Sequence, residues 1–273
     1  ASNASYSINE DISSADTGEI TGSADNSPHL RPTYATQYDI SYEQYFEETD
    51  GAFVAALFYK DIGSFIQSTQ IEEFDFSANG FNVPETVDIE DPITGEQLTV
   101  DTFNGSFSTA VNNEEGGYIR GVELAYTQIF SFLPSIWSGL GTNVNYSYTE
   151  SEILRITTSG DVVGPQPIAG LSENVFSASL FWEYQGFETR VSMRYRDEFV
   201  SEQWGVNEQV VNFGSETVID YQASYQFTDN LSTVFQINNL TDEPTKSYFG
   251  TELKTGTQQY FGRQLFLGFT YSM

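Results

Sequence analysis

ENVFSASLFWEYQGFETRVSMRYR, residues 173–196, decides the fold. Before Gln185-Gly186 the even positions are apolar (Phe176, Ala178, Leu180, Trp182, Tyr184), with Ser177, Ser179 and Glu183 between them. After it the odd positions take over: Phe187, Val191, Met193 and Tyr195, with Thr189 in register. Glu188, Arg190, Ser192, Arg194 and Arg196 fill the other face. Such alternation marks a strand with two unlike faces, and a two-residue connection containing Gly marks a hairpin. Folding that turn sets 184 against 187, 182 against 189, 180 against 191 and 176 against 195. All apolar side chains then share one side and all charges the other. A slip of one residue would mix the faces, so the register is specified. Rings at two heights with aliphatics between them fit the girdles of a transmembrane β-barrel. One layer of a soluble β-sandwich also alternates.

The same grammar recurs on both sides of this hairpin. Ile219, Tyr221, Ala223, Tyr225 and Phe227 alternate with polar residues, a turn follows at 228–230, and Leu231, Thr233, Phe235 and Ile237 resume the pattern. Val122, Leu124 and Tyr126 alternate upstream, as do Val144, Tyr146 and Tyr148, and at the end Leu265, Leu267, Phe269 and Tyr271. Short connections fall near 47–51, 130–141, 185–186 and 228–230, and long ones near 61–117, 151–172, 197–216 and 239–262. Short turns on one side and long loops on the other are the outer-membrane pattern, and a sandwich has no reason for it. The expected fold is therefore all-β, an antiparallel transmembrane β-barrel. Nine strands are expected, near 34–47, 51–67, 116–130, 139–154, 172–185, 187–202, 217–228, 231–240 and 260–273. A complete bacterial single-chain barrel has an even number, so these nine belong to a larger one. Residues 1–33 are expected as the remnant of an extracellular loop, and 34–273 as the C-terminal portion of the barrel.

Composition agrees. Ten Lys+Arg against 39 Asp+Glu give a net charge of −29, which argues against nucleic-acid partners, because phosphate neutralisation needs basic residues. Cysteine is absent and His29 is the sole histidine; this excludes a disulfide framework and leaves little for thiol or imidazole catalysis. No run approaches the roughly 20 apolar residues of a spanning helix, and no signal-peptide pattern opens the sequence. Twenty-two Phe, 17 Tyr and 3 Trp are far too many for a disordered acidic chain. Gly139-Leu140-Gly141 lacks the rest of a dinucleotide motif, and no enzyme is expected.

Several stretches, taken together, resemble the late barrel of TonB-dependent outer-membrane receptors. They are HLRPTYATQYDISYEQYF (29–46), ALFYKDIGSFI (56–66), YIRGVELAYTQIFSFLPSIWSGLGTNVNYSYTESE (118–152), PIAGLSENVFSASLFWEYQGFETRVSMRYRDEFVSE (167–202), INNLTDEPTKSYFG (237–250) and YFGRQLFLGFTYSM (260–273). The likeness is nearest to the large proteobacterial receptors of carbohydrate uptake. It implies a barrel of 22 strands around an N-terminal plug, with this chain as the last nine and no plug within it. The family usually ends in an aromatic residue, whereas Met273 stands here. The resemblance further implies the outer membrane of a Gram-negative bacterium and ligand capture by outer loops. Import would be TonB-driven, with a saccharide, or else a ferric siderophore, as the ligand. Implied partners are outer-membrane lipid and lipopolysaccharide, the plug, the remaining strands, and the TonB complex through that plug.

Three groups of side chains are candidates for function. The 61–117 loop holds twelve acidic residues and no Lys or Arg. Within it Asp88, Glu90 and Asp91 are candidate divalent-cation ligands, since clustered carboxylates suit calcium; the alternative is a solvated outer loop bridged by ions to lipopolysaccharide. No other cofactor is expected. Arg190, Arg194 and Arg196 share the expected lumen face, where they select anions in an open channel or pair with acidic plug or barrel residues. Glu183 and Glu188 are expected to face each other near the short turn, an unfavourable pairing without a cation between them. Trp204, Phe213, Tyr248 and Phe249, in outer loops, either stack on a sugar or pack the loops together; Trp137 is expected as an interfacial anchor. A passive porin and a surface structural or adhesive β-protein remain as alternatives at this stage.

Overall fold

The computed structural model describes residues 4–24, 30–46, 49–156, 162–204 and 210–272; His29 and Met273 lie outside these. The strands in chain order are β1 (Ala4–Ile8), β2 (Glu19–Ala24), β3 (Tyr34–Phe46), β4 (Gly51–Ile71), β5 (Thr86–Glu90) and β6 (Gln97–Asp101). Then come β7 (Phe103–Asn113), β8 (Gly117–Ile129), β9 (Leu140–Ile156), β10 (Val162–Gln166), β11 (Asn174–Tyr184), β12 (Phe187–Arg196) and β13 (Phe199–Trp204). The last are β14 (Val210–Phe213), β15 (Glu216–Thr228), β16 (Leu231–Asn238), β17 (Thr245–Phe249), β18 (Thr251–Gln259) and β19 (Gln264–Tyr271). The chain divides into two compact units. One gathers 1–36, 62–117 and 153–166, the other 37–61, 118–152 and 167–273.

The larger unit is a wall of neighbouring antiparallel strands in the order β3-β4-β8-β9-β11-β12-β15-β16-β19. These correspond to the nine expected strands. The 185–186 turn has φ of 47° at Gln185 and 80° at Gly186, the left-handed pair that a two-residue hairpin of this type requires. It sets Tyr184 against Phe187, Trp182 against Thr189, Leu180 against Val191 and Phe176 against Tyr195, the expected register. Leu180 is 51% exposed and Phe269 69%: the apolar face has no protein against it. Near the short turns that face carries Trp182 stacked on Tyr184 at 6.1 Å, with Tyr225 edge-on to Phe227 at 4.9 Å. Six residues further up β11 sits Phe176, about 20 Å along a strand. Above it the face ends in a bidentate pair, Arg120 donating to both oxygens of Glu150 at 2.7–3.1 Å.

The smaller unit is built on different physics. Its β1-β2 hairpin pairs β2 parallel to β7, and β7 pairs the end of β4; β5 and β6 form a separate hairpin, and β10 pairs the end of β9. The residues expected as outer loops thus carry strands, because Phe74, Phe76, Phe81 and Phe107 give them a core of their own. Phe76 is fully buried, Phe74 stacks on Phe107 at 4.4 Å, and Phe81 meets Phe76 edge-on at 5.4 Å. Ile20 and Ala24 close the cluster from β2. A Cβ at Gly22 would stand 2.7 Å from the Phe76 ring, so the close approach of ring to strand depends on that glycine.

Candidate ligand mouth and polar wall

The polar face of the wall is where the charged candidates lie. Cross-strand register sets Arg196 opposite Glu216 and Arg190 opposite Gln222. Each arginine has an acid from the wall itself. Arg196 Nη2 donates to Glu216 Oε2 at 3.2 Å, Arg194 lies 3.5 Å from Asp220, and Arg190 lies 3.8 Å from Glu188. The Arg190 guanidinium also sits 5.4 Å from the centre of the Phe181 ring, within reach of a cation–π attraction. Glu183 and Glu188 do face each other across the hairpin. They border a concavity of about 490 Å³ shared with Ser224, Gln226, Ser232 and Thr270, and Arg190 lies 3.8 Å from Glu188 alone. A smaller hollow of about 100 Å³ lies among Arg190, Ser192, Asp220, Gln222, Gln236 and Asn238, where Gln236 Nε2 donates to Gln222 Oε1 at 2.8 Å.

Beyond the ends of β12, β15, β16 and β19 the connections continue as a second sheet, ordered β13-β14-β17-β18. β13 follows β12, β14 leads into β15, β17 follows β16 and β18 leads into β19. The outer sheet therefore repeats the order of the wall: the two connections are strands prolonged past the apolar band. Register places Phe199 opposite Phe213, Phe213 opposite Ser247, and Val211 opposite Phe249. Phe199, Val211, Phe213 and Phe249 consequently share a face. Phe199 and Phe213 stack at 5.1 Å with planes 14° apart, and the Arg196 guanidinium lies 4.7 Å from the Phe199 centre. An aromatic row thus rises from the upper end of the arginine-bearing face.

Tyr248 belongs to the opposite face, since it pairs with Asn212. The four aromatic candidates are therefore not one surface: Phe213 and Phe249 are together, Tyr248 is behind them, and the Trp204 side chain lies outside the described residues. The Tyr248 hydroxyl donates to Glu198 Oε2 at 2.5 Å. Burial, then this bond and the charges of Glu198 and Glu252, push the phenol up to about 12. At the corner between β12 and β13, Asp197 accepts from the Asn174 backbone N–H at 3.0 Å, from Asn174 Nδ2 at 2.5 Å and from the Tyr195 hydroxyl. Burial opposes its ionisation, but these three donors outweigh it and hold the carboxyl below its usual value.

The proposed cation ligands are not brought together. Asp88 and Glu90 lie on one face of β5, where Asp88 accepts from the Thr99 hydroxyl at 2.7 Å. Asp91 turns into the hairpin loop and accepts from the Ile93 N–H and the Thr94 hydroxyl, each at 2.8 Å; these bonds hold it below the usual carboxylate value. Among the described residues no three His, Cys, Asp or Glu side chains are grouped to hold a metal. Asp91 is set apart from Asp88 and Glu90 because it lies past the end of β5 and is bonded within its own turn.

A family model described as the TonB dependent receptor-like β-barrel matches residues 2–240. The chain belongs to the TonB-dependent receptors. The siderophore receptor PirA from Acinetobacter baumannii is similar in fold, with a TM-score of 0.61 at 13% identity over 99% of this chain and 36% of its own. A mutant of the ferric enterobactin receptor PfeA from Pseudomonas aeruginosa gives 0.56 at 13% identity, over 94% and 33%. The iron transporter FrpB from Neisseria meningitidis gives 0.52 at 18% identity, over 90% and 31%. No curated protein matches by sequence. The chain spans about a third of the length of these structures, as a portion of a receptor barrel. In such a barrel of the Gram-negative outer membrane the apolar face meets lipid and the polar face lines the interior. The family is one of receptors, not enzymes. Phe199, Glu198, Glu216 and Asp220 join the site although the sequence reading passed over them; pairing β12 with β15 in register would have found Glu216 opposite Arg196.

Proposed function

We propose that this chain forms closing wall and part of the mouth of an outer-membrane receptor that captures a ligand at the cell surface and imports it with TonB-derived energy. Residues 1–33 then belong to an outer loop and 34–273 to the barrel. A plug carried elsewhere in the complete protein occupies the interior and contacts TonB, and lipopolysaccharide surrounds the outer rim. The aromatic row Phe199, Phe213 and Phe249 above Arg196 supports this reading most directly, because it offers flat apolar faces at the entrance to a polar interior. Phe213 and Phe249 are the proposed ligand contacts, and Tyr248 lies on the opposite face of the same sheet. The three arginines each have a wall carboxylate nearby, which argues against an open anion-selective channel.

The ligand class we favour is a saccharide. Ring faces stack on the apolar face of a sugar, and a chain of net charge −29 repels a strongly anionic chelate at long range. A ferric siderophore is the second reading, favoured by the names of the fold neighbours. Energised uptake decides among the readings. Cells producing the complete receptor should accumulate a labelled oligosaccharide, and a protonophore should abolish accumulation. Uptake that survives the protonophore indicates a passive porin, and uptake of ferric siderophores alone indicates the second ligand class.

A further inference from the structure

The ion pairs of the wall are bonded to different degrees on its two faces. On the apolar face Arg120 donates to both oxygens of Glu150 at 2.7–3.1 Å, the forked arrangement in which guanidinium and carboxylate saturate each other. On the polar face the closest approaches are 3.2 Å for Arg196 and Glu216, 3.5 Å for Arg194 and Asp220, and 3.8 Å for Arg190 and Glu188. The last two are too long for a good hydrogen bond. Arg196 leans on the Phe199 ring rather than squaring to Glu216, and its Nε is buried with no hydrogen-bond partner. A buried donor without a partner is costly and calls for a reason. The interior pairs thus leave donors and acceptors open that the Arg120–Glu150 pair closes.

These loose pairs stand in a row. Arg196, Arg194, Ser192 and Arg190 occupy alternate positions of β12, opposite Glu216, Val218, Asp220 and Gln222 of β15, and the row is about 20 Å long. It starts beneath the stacked Phe199 and Phe213 and ends in the hollow to which Gln222, Gln236 and Asn238 bring amides. A loose pair of opposite charges discriminates among ligands. An anion is drawn to the guanidinium and repelled by the carboxylate beside it, and a cation meets the reverse. A hydroxyl accepts from the one and donates to the other, so a neutral polyol uses both. We infer that β12 and β15 form a track for a neutral, linear oligosaccharide. One end rests on the Phe199–Phe213 stack, and its hydroxyls bridge the Arg196–Glu216 and Arg194–Asp220 pairs down to the amides of Gln222 and Gln236. This rests on the reading of the ligand as a saccharide and adds the charge, shape and course of that ligand. A row of this length suits several linked sugars, and a single sugar would leave most of it unused.

Calorimetric titration of the complete receptor with linear glucose, mannose and galactose oligomers, from the single sugar to the hexamer, tests this. In the series that binds, affinity should rise with each added unit up to about four, the number that the row accommodates, and then level off. Arg194→Met should weaken the hexamer about tenfold, as the loss of hydrogen bonds from a charged group implies, and leave the single sugar unchanged. Phe213→Ala should weaken every length. The matching uronate oligomer, with a carboxylate on each unit, should bind more weakly than the neutral one. Suppose that Phe213→Ala weakens binding, yet affinity does not grow with length or Arg194→Met leaves the hexamer unchanged. The row then packs against the plug: the inference is overturned and the saccharide reading stands. Tighter binding of the uronate overturns the inference as well. If no oligomer binds, both fail.

Discussion

The two units place their apolar side chains in opposite positions. Every buried apolar residue among those described (Ile20, Ala24, Phe76, Ile89, Phe107) belongs to the smaller unit, while the wall of the larger one leaves Leu180, Val191, Leu267 and Phe269 between 44% and 69% exposed. Burial from water drives both arrangements. In the smaller unit the chain supplies the apolar surroundings, and in the wall the lipid supplies them. The outer sheet lies between these cases, with rings that cover one another without forming a sealed core. Similar aromatic-rich sequence thus yields three environments, and each responds differently to the same kind of substitution.

The largest effect is expected in the smaller unit. Phe76→Ala removes a fully buried ring and should cost about 3–5 kcal/mol locally. Hydrogen exchange of the complete receptor should show 4–24 and 103–113 loosened and 174–196 unchanged; loosening of the wall as well would erase the distinction between the units. Next is the wall, where Leu180→Arg should cost about 2–4 kcal/mol in a bilayer unfolding measurement. Ser179→Arg, one residue away on the polar face, should cost clearly less. Equal losses would mean that both faces meet the same medium.

The outer sheet should respond more weakly. Phe199→Ala removes the stack on Phe213 and the Arg196 contact, worth about 0.5–1.5 kcal/mol beyond area burial. Assembly of the barrel should be unaffected, while calorimetric titration of a bound oligosaccharide should show weaker affinity; unchanged affinity would reduce the aromatic row to loop packing. The smallest effect is in Tyr248. Its phenol is raised to about 12, so whatever its neutral form contributes is complete below the ordinary value near 10 and fades as pH rises through about 12. Difference titration of phenolate absorbance against Tyr248→Phe should reveal one tyrosine ionising late. A normal midpoint would mean that the Glu198 bond does not form.

The wall was legible in the sequence because lipid on one side and a polar interior on the other impose a strict period of two, down to the pairing of Tyr184 with Phe187. The outer strands were not. β18 reads TELKTGTQQ, polar on both faces because neither meets lipid, so alternation gave no signal. β14 is four residues long, too short to establish a period. The smaller unit was hidden for another reason. Phe76 and Phe107 meet Ile20 across gaps that no local pattern spans. At the site, alternation correctly put Arg190, Arg194 and Arg196 on one face. It could not show that the outer strands turn Phe213 and Tyr248 to opposite sides, or that Asp91 is spent on its own turn.

The central claim is that one face of the wall meets lipid and the other does not. Single cysteines at 176 through 183 of the complete receptor, spin-labelled in a bilayer, test it most directly through accessibility to oxygen and to a water-soluble nickel chelate. Labels at 176, 178, 180 and 182 should favour oxygen, and labels at 177, 179, 181 and 183 should not, giving a period of two along β11. An absence of that period, or oxygen preference at the odd positions, would contradict the account.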